Sequence, residues 1–380
     1  MKLSLSLVLG LGGLCLNASV IERRGSTSWA GTNNYYIHGL SAEEQTSYIN
    51  ALKGFGTKVV RLWVTGTSDG CAKSSKTFNV PQYETTIGTY VPATLDALDK
   101  VLKQLHDAGI KAIISPHDAN LLPPAGADKG YNGIDIYGST YKSSDNFYSS
   151  VTAKGQYDNR LASILDYKSK AFGGKAWKDL SEVILAFDIQ NEPMIASKEK
   201  LQNNDPDDWI CGRAGNMRKV MANSREDSTG GLGGSEYSGH ELNLIDKALN
   251  CQAIDLIAIH GYMTQASQWA PYMPELSNKA AQKGKLVFVE EWGVGSDSSY
   301  DSVAKQAAVF TDAGVPWMYW QIIPGKSIDE SCSGGCCHSG LSSTPNEAFE
   351  VGITSKRADF KTLMGAANSK PATQDWTGIL

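Results

Sequence analysis

No apolar run in the 380-residue chain reaches the roughly 20 residues that a bilayer crossing needs. The longest, a leucine-rich stretch over 3–16, follows Lys2 and ends near Asn17-Ala18-Ser19. It reads as a secretory signal peptide over 1–19 rather than an anchor. A basic surplus is also missing. Lys and Arg number 35 against 40 Asp and Glu, a net charge of −5, with the signs interspersed. That excludes nucleic acid and anionic membrane as partners and suits a neutral substrate. No glycine-rich dinucleotide turn follows the first strand, which weighs against a doubly wound open sheet. No internal repeat and no Pro/Ser/Thr-rich linker interrupts the chain, so one catalytic domain over 25–380 is expected. No Asn-x-Ser/Thr sequon follows the leader. No cofactor and no metal are implied, and a monomer is expected.

Cysteine is scarce but not absent. Arg23-Arg24 resembles a dibasic processing site, which would make 20–24 a short pro-segment; two solvated arginines are the other reading. Of seven cysteines, Cys15 lies in the leader. Cys71, Cys211, Cys251, Cys332, Cys336 and Cys337 remain, an even set of the kind that forms disulfides in exported proteins. Cys211 is placed before strand five and Cys251 before strand six, so they are expected to pair at the non-catalytic end of the fold. Two further bridges are expected on the opposite face, one of them a cross-link from Cys71. The run Cys332-x3-Cys336-Cys337-His338 also has the look of a zinc site, but its Ser/Gly setting favours a stapled loop.

Short β-rich runs alternate with amphipathic helical stretches. Strands are expected over 29–33, 58–64, 111–115, 183–190, 219–223, 256–260, 286–290 and 317–321. The helices between them include one opened by the N-cap Ser41 with Glu43 and Glu44 in its first turn, and one over 92–108. In the latter, Leu95, Leu98, Val101, Leu102 and Leu105 recur at three and four, which makes one buried face. A helix is expected over 156–169 and a closing one over 346–366. Eight alternating units are the count of a (β/α)8 barrel, with a long Gly/Tyr/Ser/Asp-rich loop over 118–150.

Catalytic groups of such barrels project from the C-terminal ends of the strands. Reading those ends collects Arg61, His117, Asn191, Glu192, His260, Tyr262, Glu291 and Trp320. Two carboxylates on strands four and seven, on opposing sides of the ring, can flank one glycosidic bond. Retaining hydrolysis needs them about 5–5.5 Å apart. Burial and the neighbouring carboxylate are expected to raise Glu192, so that it stays protonated. Alternation along strand seven is expected to turn Glu290 away from Glu291. Each group alone also reads as a satisfied buried side chain; their convergence in chain order is what points to chemistry.

Phe187-Asp-Ile-Gln-Asn-Glu-Pro193 and Val289-Glu-Glu-Trp-Gly293 resemble the strand-four and strand-seven signatures of glycoside hydrolase family 5, in the retaining clan of (β/α)8 enzymes. The resemblance runs over 29–320. It implies Glu192 as acid/base and Glu291 as nucleophile, Asn191 on the sugar 2-hydroxyl, and Arg61 and Tyr262 bonded to Glu291. It further implies His260 beside Glu192, His117 on a sugar hydroxyl, and Trp320 as the floor under a pyranose ring. The strands over 29–36 and 59–63 are similar to those of secreted fungal β-mannanases of this family. The stretch over 223–231 and the Asp188-Ile-Gln190 end of strand four depart from that pattern. The substrate therefore stays open among β-1,4-mannan, β-glucan and smaller β-glycosides, and exo action, transglycosylation and a binding-only wall protein are alternatives. Trp63, Tyr131, Tyr137, Tyr141, Trp269 and Trp292 are candidates for stacking on sugar rings or for plain packing.

Overall fold

The computed structural model describes residues 26–380 apart from 222–225, 235–239, 329, 334 and 338–347. The leader over 1–19, the pro-segment over 20–24 and His338 lie outside the described residues. Eight parallel strands close into a barrel: β1 (Ala30–Asn33), β2 (Val59–Trp63), β3 (Lys111–Ser115), β4 (Ile184–Asp188), β5 (Glu226–Ser228), β6 (Leu256–His260), β7 (Leu286–Trp292) and β8 (Trp317–Tyr319). Around the ring the order is β1-β8-β7-β6-β5-β4-β3-β2. The first and last strands pair directly, Ala30 with Trp317, so the sheet has no open edge and the doubly wound alternative falls.

The main outer helices are α1 (Ala42–Phe55), α2 (Pro92–Ala108), α3 (Val151–Leu165), α4 (Trp209–Met221), α5 (Asp246–Leu249), α6 (Tyr272–Gln282), α7 (Val303–Asp312) and α8 (Phe360–Ser369). α1 starts where Ser41 accepts from the Glu44 amide and stops at Gly56, whose φ of 83° only glycine adopts without strain. α2 buries Leu95, Leu98, Val101, Leu102 and Leu105 against the barrel. Each such leucine contributes about 1.5–3 kcal/mol relative to exposure, which outweighs helix propensity in holding the element.

Three expected elements are displaced, the helix expected over 156–169 lying at Val151–Leu165. Residues 219–221 belong to α4, and the fifth strand is Glu226–Ser228. Ile210, Ala214, Met217 and Met221 are among the buried residues of α4; their three-and-four spacing is helical, whereas the strand is polar. The closing helix begins at Phe360. Before it, Val351–Gly352 pairs in parallel with Ile322–Ile323 beyond β8.

The barrel floor is sealed from below. Trp29, Phe288 and Trp376 pack edge to face or tilted within 5.2–6.1 Å, Trp376 coming from the C-terminal tail. Thr27 bridges Pro371 in the same layer.

Cys211–Cys251 pairs as expected, and the two further bridges are Cys71–Cys336, the cross-link from Cys71, and Cys332–Cys337. The cysteines of the suspected zinc run are thus covalently paired. Cys211 sits in the first turn of α4, at the end of the helix away from β5, not at the foot of a strand as expected. Among the described residues no helix is long and apolar enough to cross a membrane.

Candidate active site

Arg61, inside β2 and fully buried, is the hub from which the site is built. Its Nε donates to Asp188 Oδ2 at 2.8 Å, its Nη1 to Glu291 Oε1 at 2.6 Å and its Nη2 to Asn191 Oδ1 at 2.9 Å. The guanidinium plane lies 4.3 Å over the Trp63 ring. Burial works against the charge, but Asp188, Glu290 and Glu291 outweigh it and keep Arg61 protonated. The fork geometry, not only the charge, makes three simultaneous contacts possible.

Glu192 follows β4 in a left-handed conformation, φ 48°, and its amide donates to Gly230 O at 2.8 Å. A non-glycine residue held there is strained by about 1–3 kcal/mol, and the turn after β5 supplies the restraint. Its carboxylate takes Asn120 Nδ2 at 2.7 Å on Oε2 and faces His260 Nδ1 at 3.1 Å on Oε1. Glu291 receives the Tyr262 hydroxyl at 2.9 Å on Oε2, and His260 Nδ1 lies 3.5 Å from that oxygen. One oxygen of Glu192 and one of Glu291 lie within 4.8 Å of each other, as does a ring nitrogen of His260. These three residues are the one group among the described residues whose spacing could hold a metal ion. Every one of them is already hydrogen-bonded to protein.

Glu290 does not turn away. β6 and β7 run in register to Ile259 and Val289, after which His260 faces Glu291, leaving Glu290 as an extra residue. The bulge breaks the alternation, so consecutive glutamates both serve the interior. Glu290 Oε2 is 3.0 Å from His260 Nε2, and Oε1 is 3.4 Å from Arg61 Nε.

The electrostatics also differ from expectation. Burial pushes Glu192 up, but His260 and Asn120 outweigh it and hold the carboxyl below its ordinary value. Burial raises Glu291 to about 7; His260 opposes this, Glu192 adds to it, and Arg61 and Tyr262 oppose it. Burial lifts Asp188 to about 7 against the pull of Arg61. His260 is raised to about 10: burial disfavours its charge, and Glu291, Glu192 and Glu290 more than compensate. The raised member of the carboxylate pair is thus Glu291: burial outweighs His260, Arg61 and Tyr262 there, whereas His260 and Asn120 outweigh burial at Glu192.

The remaining expected residues divide. Trp320 stands beside Trp63, centroids 5.5 Å apart, and stacks on Tyr35 at 6.1 Å, so three rings wall one side of the cleft. His117 has both nitrogens in use, Nε2 on Asp135 at 2.8 Å and Nδ1 on the Gln190 amide at 2.8 Å. It props these neighbours instead of offering a free nitrogen to a hydroxyl. Tyr137, Trp269 and Trp292 are fully buried packing residues, whereas Tyr131 is exposed and Tyr141 half-buried. A cavity of about 330 Å3 adjoins the site, lined in part by Trp63, Gln82, Glu84, His117, Asp118 and Asp135. Its size lies within the roughly 300–1,000 Å3 of small-molecule sites. Residues that strand-end reading passed over are Tyr35, Asp118, Asn120, Asp188 and Glu290. Asp118 directly follows His117 and Asn120 comes two residues later, both visible as polar residues at a strand end.

A family model for Cellulase (glycosyl hydrolase family 5) matches residues 20–326. Mannan endo-1,4-beta-mannosidase 1 of Oryza sativa subsp. japonica is 25% identical over 304 residues, which cover 76% of this chain and 65% of that protein. The endo-1,4-β-D-mannanase of Thermotoga petrophila has the same fold, with a TM-score of 0.64, 18% identity, and coverage of 90% of this chain and 99% of that one. The endo-1,4-beta-mannanase of Rhizomucor miehei gives 0.64 at 17% identity, covering 90% and 94%. The matched region takes in β1 to β8 and both signature glutamates, and the chain belongs to the cellulase family, glycosyl hydrolase family 5.

Proposed function

We propose that this protein is a secreted, retaining β-glycosidase acting on β-1,4-mannan, with Glu291 as nucleophile and Glu192 as acid/base. The observation that carries the reading is the approach of one oxygen of Glu192 and one of Glu291 to within 4.8 Å, with His260 Nδ1 reaching both residues. That separation suits a double displacement; an inverting site needs about 6.5–9.5 Å to seat a water. Glu291 attacks the anomeric carbon, the C–O bond to the leaving group breaks, and Glu192 delivers a proton to the departing oxygen. Glu192 then takes a proton from water, whose oxygen displaces Glu291 and restores the β-anomer.

Arg61 and Tyr262 hold both oxygens of Glu291, which orients the attack. Asn191, fixed through its carbonyl by Arg61, keeps an N–H for the sugar 2-hydroxyl. Trp320 supplies an apolar face for a pyranose ring, backed by the buried Trp63, and the adjoining cavity takes a neighbouring sugar. His260 lies between the two carboxylates, so the pair titrates as a unit. Glu192 is held below its ordinary value in the free site by His260 and Asn120, and the ionised Glu291 beside it together with a sugar that displaces solvent raises it toward the protonated form the first step needs. Once Glu291 is esterified its charge is gone, and the donors on Glu192 favour the ionised form required of a base. The choice of mannan rests on the rice relative and the strand resemblance, and export on the three disulfides together with the leader.

Hydrolysis of β-mannan, β-glucan, xylan and aryl β-glycosides, followed by proton NMR over the first minutes, tests all of this. Mannan is expected to be cleaved fastest and to give β-product before mutarotation. An initial α-product sinks the mechanism; preference for β-glucan sinks the substrate assignment alone.

A further inference from the structure

We infer that Asn120 is a positioning residue for Glu192, and that Asp118 ties it to Asn191, so that one carboxylate hub sets both the acid/base group and the group facing the sugar 2-hydroxyl. This rests on the roles proposed above for Glu192 and Asn191.

The backbone prepares the arrangement. Beyond the ends of β3 and β4 the pairing continues: Asp118 bridges Asn191, the Asn191 amide donates to His117 O at 2.8 Å and the Ala119 amide to Asn191 O at 3.0 Å. Asp118 Oδ1 collects three donors, the Asn120 amide at 3.0 Å, Asn120 Nδ2 at 2.9 Å and Asn191 Nδ2 at 2.8 Å. Its other oxygen accepts from Asn132 Nδ2 at 2.8 Å. The Asn120 side chain is buried, and its nitrogen faces two carboxylates, Asp118 and Glu192. The flipped amide would aim its oxygen at two acceptors, so the orientation has one solution. Asn191 is fixed in the same way, nitrogen to Asp118 and oxygen to Arg61.

A donor on Oε2 stabilises ionised Glu192 over the neutral acid, since a carboxylate accepts more strongly. The other groups that face Glu192 are His260, Glu291, Tyr262 and Arg61, with Glu290 on the far side of His260. None of them bonds Asn120, whose side-chain nitrogen reaches Glu192 and Asp118, so Asn120→Ala takes one donor from each of these two carboxylates and leaves the partners of Glu291 in place.

The test uses the full chain with an aryl β-mannoside, kcat/KM being followed against pH for wild type, Asn120→Ala and Asn120→Asp, with melting curves to show that each folds. Loss of a hydrogen bond to a charged group shifts its ionisation by about one pH unit. The alkaline limb, where the acid loses its proton, is therefore expected about one unit higher in Asn120→Ala. It should move higher again in Asn120→Asp, where an acceptor replaces the donor. A drop in kcat/KM at every pH with the limb unmoved means that Asn120 only packs, and overturns the inference. Should the alanine variant fail to fold, Asn120→Leu, similar in volume and neutral but without the donor, carries the same test. The hub is checked separately by Asp118→Asn, which is expected to reduce discrimination against a 2-deoxy aryl glycoside by about tenfold, one hydrogen bond's worth; unchanged discrimination removes Asp118 from this role. Glu192→Ala with azide keeps the two readings apart. Absence of glycosyl azide there defeats the acid/base assignment itself, whatever the limb does in the Asn120 variants.

Discussion

Four carboxyl groups, Asp188, Glu192, Glu290 and Glu291, meet two cations, Arg61 and His260, inside the barrel mouth. Uncompensated negative charge in a buried site is costly, and protons on Asp188 and Glu291 relieve it. Both acids are raised in the folded chain, so folding loses stability as pH rises from their unfolded values near 4 through about 7. His260 is raised as well; its contribution is complete below its unfolded value near 6.5 and is lost as pH climbs through about 10. The melting temperature is therefore expected to fall steadily from mildly acidic to alkaline pH, and Glu291→Gln should flatten the lower part of that decline. A wild-type melting curve that rises between pH 5 and 7 would contradict the charge count. Glu291→Ala is expected to cost about 10^4-fold or more in kcat/KM. Glu290→Gln should be impaired through His260 and Arg61 yet still take up a 2-fluoro glycoside label on Glu291. Sequence spacing could name both glutamates but not their shared direction, because a bulge is a matter of pairing between strands and leaves no mark on the strand that carries it.

At the level of elements, the turn after β5 shows how tightly backbone and site are joined. Gly231 has φ 74°, and a Cβ there would lie 2.2 Å from the His260 ring. Gly231→Ala is expected to displace His260 and reduce activity by at least the roughly hundredfold that about an ångström of misplacement costs, with a modest loss of melting temperature; full activity would mean that the ring has slack. This is also where sequence reading failed. β5 consists of Glu226, Asp227 and Ser228, with Asp227 buried beside Arg218, so no hydrophobic run announces it. By contrast β3, α2 and β6 fall on their expected residues, because their burial is apolar, continuous in the two strands and periodic in the helix. The Cys211–Cys251 bridge fastens α4 to the segment before β6 across a separation of 40 residues. Replacing both cysteines by serine should lower unfolding free energy by about 3–4 kcal/mol on the chain-entropy estimate, read from denaturant midpoints, without altering the kinetics of an aryl glycoside.

For the molecule as a whole, the seam where β8 meets β1 is held from both sides. Above it, Cys71–Cys336 links the hairpin after β2 to the segment after β8. Below it, Trp376 packs between Trp29 and Phe288. Trp376→Ala is expected to cost about 3–5 kcal/mol while sparing kcat, since the floor lies at the far end of the barrel from Glu192 and Glu291. The same closure brings the two described ends together: Ser28 N donates to Lys370 O, Ala372 N to Ser26 O and Trp376 N to the Ser26 hydroxyl. Where a chain begins is then a matter of convention as far as the fold is concerned. A circular permutant that joins these ends with a short linker and reopens between the exposed Gly173 and Gly174 should assemble the same barrel and cleave the same substrate.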